Sequence, residues 1–295
     1  MVWQSLIRGW LQQQVRRKAY QTVSGAAQAR TVGESGSAPD LPPCEVGLVF
    51  ALAIESGGLE DLLSGVVATR GSGFVAKQGL LGGRGVVLIE SGVGTLAAAR
   101  GTQALLAGHK PPWIISAGFA GGLDPKLKRG DILMVDSLAE ASGRRLAIDL
   151  RVSAESLTRA PGVHVGRLVT VDTVVHGPDE KRELGRRHEA LAVDMESWAV
   201  GEVCRQAKTR FMAVRIISDA VDDELPAEVE RLGRQKTRAA QFGAAAGAIF
   251  RRPSSVKDML RLKQDALAAS DRLAKFLSGM MIQLVPAVSD HQTAP

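Results

Sequence analysis

The sequence predicts an α/β domain built on a central, largely parallel sheet, and three observations predict it. Short apolar runs bounded by glycines recur along the middle of the chain, at 46–52, 85–91, 112–118, 131–137, 165–171, 190–195 and 211–218. These runs are near-continuous rather than alternating, the pattern of strands covered on both faces. Between them lie segments with helical spacing, among them 95–108 and 197–206, and strands that alternate with helices pair in parallel through crossovers.

The first element in the chain is of a different kind. Trp3, Leu6, Ile7, Trp10, Leu11 and Val15 fall at helical spacing, Arg8 and the run Arg16-Arg17-Lys18 lie beside them, and no acid occurs before Glu34. This is a basic amphipathic helix. It reads either as an anchor to an anionic membrane surface or as a partly ordered extension, and both readings stand. A secretory signal is the weaker expectation, because Gln and Arg interrupt the apolar face. Residues 21–43 are rich in Ala, Gly, Ser and Pro without periodicity and read as a linker.

The folded part begins near Glu45, which gives three expected regions: a basic segment and linker over 1–44, a catalytic domain over 45–252, and a C-terminal helix and tail over 253–295. After Pro253 a stripe from Val256 through Leu273, Leu277 and Met281 to Leu284 has helical spacing. A stripe of that size covers something, either the domain or a second copy, since left bare it is an aggregation hazard.

Composition narrows the function classes. With 295 residues, 45% of them hydrophobic, the chain can bury one large core. It contains no apolar run of about eighteen residues, the length that suggests a spanning helix. Cys44 and Cys204 stand far apart with no Cys or His at ligand spacing, so neither a disulfide framework nor structural zinc is expected, and a cytoplasmic location fits. The five histidines form no metal-binding pair. No metal or other cofactor is expected. A net charge of +6 would tolerate nucleic acid, but one Tyr and no aromatic-basic interleaving leave nothing to stack bases, so none is expected as partner.

Three of the strand ends carry acids that a sheet does not need. Glu55 follows the first strand, Asp194-Met195-Glu196 ends the sixth, and Ser218-Asp219 ends the seventh. Two glycine-rich turns accompany them, Ser91-Gly-Val-Gly94 before a helix and Ala117-Gly-Phe-Ala-Gly-Gly-Leu123 after a strand. Ligands in open α/β sheets bind at the carboxyl ends of strands. Taken singly, each residue has a plain reading: first-turn acids favoured by the helix dipole, a helix cap, a tight turn.

Together and in this order they resemble a family. The stretch from Gly47 to Glu55, the turn Ser91-Gly-Val-Gly94, the run from Gly118 to Asp131, Val193-Asp-Met-Glu-Ser-Trp-Ala199 and Val214-Arg-Ile-Ile-Ser-Asp219 are similar to the nucleoside phosphorylase superfamily. Within it the likeness is nearest to the methylthioadenosine/S-adenosylhomocysteine nucleosidases, and it covers about residues 45–250. The resemblance implies a three-layer fold with a mixed, largely parallel sheet, a homodimer, and cleavage of a purine N9–C1′ bond. It further implies that Asp219, oriented by Ser218, protonates N7 and that Glu55 activates water. Glu196 would accept the ribose hydroxyls, with Met195 packing on the sugar. Ser91 and Gly94 would line the nucleophile side, Val174 would occupy the base-stacking position, and backbone groups of Val175 would read the base edge.

Departures from the family leave alternatives open. Val174 stands where adenosine-type nucleosidases carry an aromatic ring, and Trp198 stands where they carry a small residue, either to replace that ring or to pack its helix. The segment 137–150 is short, so the group beyond the ribose is not specified. Asp-Met-Glu-Ser with the stretch from Ile217 to Pro226 also resembles hopanoid-associated phosphorylases acting on adenosyl-hopane, a lipid for which the basic N-terminus is suited. Against phosphorolysis, the turn from Val46 to Leu63 holds no Arg and Glu55 would repel phosphate. A nucleoside-binding protein without turnover is the third reading; an acid and a base together argue against it.

Overall fold

The computed structural model describes residues 42–150, 160–224 and 254–284. The amphipathic segment and nearly all of the linker predicted before Glu45 lie outside the described residues. In chain order the elements are β1 (Val46–Phe50), α1 (Ala53–Glu60), β2 (Ser64–Arg70), β3 (Val75–Leu81), β4 (Arg84–Glu90), α2 (Thr95–His109), β5 (Trp113–Gly122), β6 (Ile132–Glu140) and β7 (Arg145–Ala147). They continue with β8 (Val163–Thr170), α3 (Pro178–His188), β9 (Ala192–Asp194), α4 (Ser197–Gln206), β10 (Arg210–Asp219) and α5 (Ser254–Leu284).

Each predicted apolar run forms a strand, and the central ones are covered on both faces: β1 is buried at every position, and β4 at every position after its first. The fold is α/β, as expected, and the sheet is mixed. The expected predominance of parallel pairing is corrected. Among the described residues five strand pairings are parallel and five antiparallel. The sheet also closes on itself, because β10 pairs with β5 on one side and β6 on the other. The ring runs β5–β10–β6–β8–β9 and back to β5. One edge of the ten-residue β5 makes this closure. Its first half pairs with β1, which leads out to β4, β3 and β2, while Gly121 and Gly122 pair with β9. Register shifts at Ile217/Asp219 and at Val135/Ser137 bend the strands that must curve. An apolar run shows that a strand is buried but not which way its neighbour points, so the sequence could not show the antiparallel share.

The hairpin β2–β3 and the short β7 lack the apolar signature. Most of β2 is exposed at the sheet edge, so burial does not select its residues. The main core joins β1, β5, β6, β8 and β10 to Leu273, Leu277 and Met281 of α5. A second apolar cluster joins Val49, Val87 and Ile114 to Ala98 and Leu105 of α2 and Val200 of α4. The part of the C-terminal stripe around Leu273, Leu277 and Met281 therefore covers the chain's own domain. α5 crosses α1 so closely that a Cβ on Gly58 would stand 2.7 Å from the carbonyl oxygen of Ser270. The Ser270 hydroxyl accepts the Gly58 amide at 2.9 Å and donates to the Glu55 carbonyl at 3.1 Å.

Candidate active site

Parallel pairing puts the strand ends at one rim. β4, β1, β5 and β10 are successive parallel neighbours, so Ser91, Glu55, Gly118 to Gly122 and Ser218-Asp219 emerge at the same end. β9 runs against β5, which turns the chain after Asp194 back along that strand and brings Glu196 among them.

Glu55 sits in the first turn of α1, where amide donors are unsatisfied by the helix itself. Its Oε2 accepts the amides of Ala51 at 2.9 Å and Leu52 at 2.8 Å, and Oε1 accepts that of Phe119 at 2.9 Å. Only glycine fits beneath it: a Cβ on Gly118 would lie 2.8 Å from Oε1. Burial pushes the Glu55 pKa up, while the three amides and the Arg215 charge pull it down. The Ser91 hydroxyl is within hydrogen-bond distance of the carbonyls of Phe50, 3.2 Å, and Gly92, 2.8 Å. Gly94, at φ +96°, aims its amide at Glu196 Oε1, 2.7 Å away.

Glu196 is pushed up to about 8 by burial first, then by the charges of Asp194 and Glu55. That mutual influence ties the two glutamates and Asp194 into one cluster, and its cation is Arg215. The guanidinium reaches Asp194 Oδ2 through Nε at 3.0 Å and Nη2 at 2.8 Å, and Nη2 also lies 2.8 Å from the hydroxyls of Ser116 and Ser197. Asp194 is completed by the Thr170 hydroxyl at 2.7 Å and the Ser197 amide at 3.0 Å. In the sequence Arg215 lies within the motif from Val214 to Asp219, and no role is expected of it. The available signal was a charge in the middle of the apolar run 211–218, where an arginine needs a buried acid.

Asp219 forms the other half of the site. Ser218 donates to its Oδ1 at 2.7 Å, and a Cβ on Gly121 would stand 3.2 Å from its Oδ2. Oδ2 also accepts Lys181 Nζ at 2.6 Å. Lys181 has no exposed surface, and its Nζ donates further to the carbonyls of Ala220 at 3.0 Å and Asp223 at 2.8 Å. In the sequence this lysine sits in a charged helix, Pro-Asp-Glu-Lys-Arg-Glu, which reads as a solvated face and gives no hint of burial.

The remaining predicted residues are less closely tied. Met195 lies half-buried between Asp194 and Glu196. Val174 is half-buried in the turn between β8 and α3, and Val175 packs with Leu123, Val169 and Val193. Trp198 is buried in the main core with the Arg144 guanidinium 5.1 Å from its ring centre, which is the packing alternative. Among the described residues no group of His, Cys, Asp and Glu is arranged to hold a metal ion.

Acids, a serine and glycine turns thus gather at one rim of a mixed sheet, side chains of the kind that general acid–base chemistry employs. The chain belongs to the phosphorylase superfamily, whose family model matches residues 45–250. It is 32% identical over 201 residues to the 5′-methylthioadenosine/S-adenosylhomocysteine nucleosidase of Actinobacillus succinogenes, a match covering 61% of this chain and 87% of that protein. The nucleosidase of the same description from Tolumonas auensis is 26% identical over 208 residues, covering 63% and 90%. Among solved structures, the Neisseria meningitidis nucleosidase in complex with methylthio-immucillin-A is similar with a TM-score of 0.60 at 25% identity, covering 79% of this chain and 98% of that one. The Streptococcus pyogenes S-adenosylhomocysteine nucleosidase, bound to 5-methylthiotubericidin, shares the fold with a TM-score of 0.64 at 20% identity, covering 85% and 100%.

Proposed function

We propose that the chain is a purine nucleoside N-ribosyl hydrolase acting on a 5′-substituted adenosine such as methylthioadenosine or S-adenosylhomocysteine. The observation that carries this reading is the placing of Glu55 and Asp219 against Gly118 and Gly121 of the same strand. The proposed base and acid thus stand at the ends of β1 and β10, the two strands that flank β5. The names of the curated relatives and the nucleoside analogues bound in their solved structures support the same substrate class.

Cleavage of N9–C1′ builds positive charge on the ribose and negative charge on the departing purine. Asp219, held by Ser218, delivers the proton to N7. Glu55 takes a proton from the attacking water on the side lined by Ser91 and Gly94. Glu196 accepts the ribose hydroxyls, and Met195 packs on the sugar. Val175 reads the base edge through its backbone, and Val174 bounds the base without stacking, which loosens selection for adenine. Arg215 holds Asp194 and tempers the clustered negative charge.

In the same reading residues 45–252 form the catalytic domain, 1–44 a basic segment and linker, and 253–295 a helical tail. The working unit is a cytoplasmic homodimer with its N-terminus at the membrane surface. The test is release of adenine from methylthioadenosine, followed by chromatography with and without phosphate. Phosphate-independent release with free methylthioribose is expected. Phosphate-dependent release with a ribose 1-phosphate product overturns hydrolysis, and binding without release makes the chain a nucleoside-binding protein.

A further inference from the structure

Lys181 is a buried charge in contact with the proposed acid that the reaction above leaves unused. It occupies the first turn of α3, a poor place for a cation because the helix dipole there is positive, and it is fully buried. An ammonium in such a place needs strong compensation. Its compensation is complete: three acceptors, Asp219 Oδ2, Ala220 O and Asp223 O, lie 2.6–3.0 Å from Nζ. Three acceptors match the three N–H bonds of the charged form. Asp219 is equally occupied as an anion, with Oδ2 accepting Lys181 and Oδ1 accepting Ser218. In this state the carboxylate has no proton to give.

We propose that Lys181 is the proton reservoir for the leaving base and acts through Asp219; this rests on the proposed nucleosidase reading. The N–H bond at Nζ breaks and an O–H bond forms on the Asp219 carboxyl. The neutral amine keeps two N–H bonds, and the carbonyls of Ala220 and Asp223 satisfy them both. Turning about Cβ–Cγ presents the loaded oxygen to the base. As N9–C1′ breaks, its electron pair enters the purine ring, the O–H bond breaks and an N7–H bond forms. Water adds to C1′ and yields its proton to Glu55, which releases it to solvent. Once the base has left, a solvent proton enters through Asp219 and returns to Nζ. The dyad thus serves both protonation states with one set of acceptors, a property that a purely structural ion pair does not require.

The experiment compares two substrates in the full-length protein. Methylthioadenosine needs a protonated leaving group, whereas the 4-nitrophenyl riboside releases a stable phenolate without one. For Lys181→Met the expected result is a loss in kcat of roughly 100-fold or more on methylthioadenosine, less than about tenfold on the nitrophenyl riboside, and KM within about threefold. Lys181→Arg, which keeps the charge but cannot surrender a proton, should not restore purine cleavage. The double variant Lys181→Met/Asp219→Asn strands no charge and should be no slower on methylthioadenosine than Asp219→Asn alone, since the two residues act in one path.

Equal losses on both substrates, recovery with Arg, or additive losses in the double variant would each overturn the proposal. If Lys181→Met alone does not fold, Lys181→Arg compared on the two substrates decides the question: loss on methylthioadenosine with the nitrophenyl riboside retained supports the relay, and equal rates or equal losses overturn it. Wild-type protein that fails to release adenine at all would instead overturn the nucleosidase reading.

Discussion

Glu55 and Asp219 differ in what surrounds them, and the difference sets what each substitution should do. Glu55 is held by amides alone, so Glu55→Gln keeps an acceptor at Oε1 but loses the capacity to take a proton. The expected result is a fall in kcat of roughly 100-fold or more with little change in KM. Asp219→Asn should abolish cleavage of purine nucleosides to a similar extent while a transition-state analogue still binds, as calorimetry would show. Turnover within about tenfold of wild type would exclude the acid role for that residue. Glu196 gives a pH prediction. Its pKa is raised in the folded chain to about 8, so the native state holds a proton that the unfolded state loses earlier. Stability from this group is present at low pH and is lost as pH rises through about 8. Relative to wild type, Glu196→Gln should gain a few degrees in Tm at pH 9 and gain nothing near pH 5, measured by scanning calorimetry.

At the scale of elements, α1 carries the proposed base and α5 holds α1 in place. Ser270 links the two helices by accepting the Gly58 amide and donating to the Glu55 carbonyl, and its side chain is buried. Ser270→Ala leaves the amide without that acceptor and should cost about 1–3 kcal/mol, read as a lower midpoint in urea at unchanged slope. An unchanged midpoint would mean that the helix contact rests on apolar packing alone. The elements also show what the sequence could express. The runs that became β1, β4, β5, β6, β8, β9 and β10 were legible because burial on both faces demands apolar residues throughout. β2 was not, since an exposed edge strand demands only hydrogen bonding. In the site, Glu55, Glu196 and Asp219 were legible as acids at strand ends. Lys181 was hidden because its burial depends on where β10 ends, a long-range fact that its charged neighbours do not encode. Arg215 was half visible: its position in an apolar strand signals a buried charge, but its partner Asp194 is identified only by the fold.

For the whole molecule, the N-terminal segment and the domain can be tested apart. Deleting residues 1–43 removes every residue of the basic stripe and none of the site. Activity on a soluble nucleoside should persist, while salt-sensitive binding to anionic vesicles, at about 1 kcal/mol per engaged Lys or Arg, should disappear. A truncated protein that is insoluble or inactive would show that the stripe packs on the domain, and full-length protein that ignores vesicles at low salt would remove the anchor.

The ring closed by β10 has a consequence for how the chain is made. β10 supplies the partner for β5 on one side and for β6 on the other, and among the described residues it is the last strand to leave the ribosome. A nascent chain that has reached only Gln206 therefore carries two unpaired strand edges, each able to recruit a neighbour's backbone on the same polysome. Closure must also wait for contacts across roughly a hundred residues of sequence, which makes it slow relative to local hairpins. Synthesis thus has an interval of exposure that ends when Asp219 reaches the rim, so the act that finishes the barrel is the one that brings in the proposed acid.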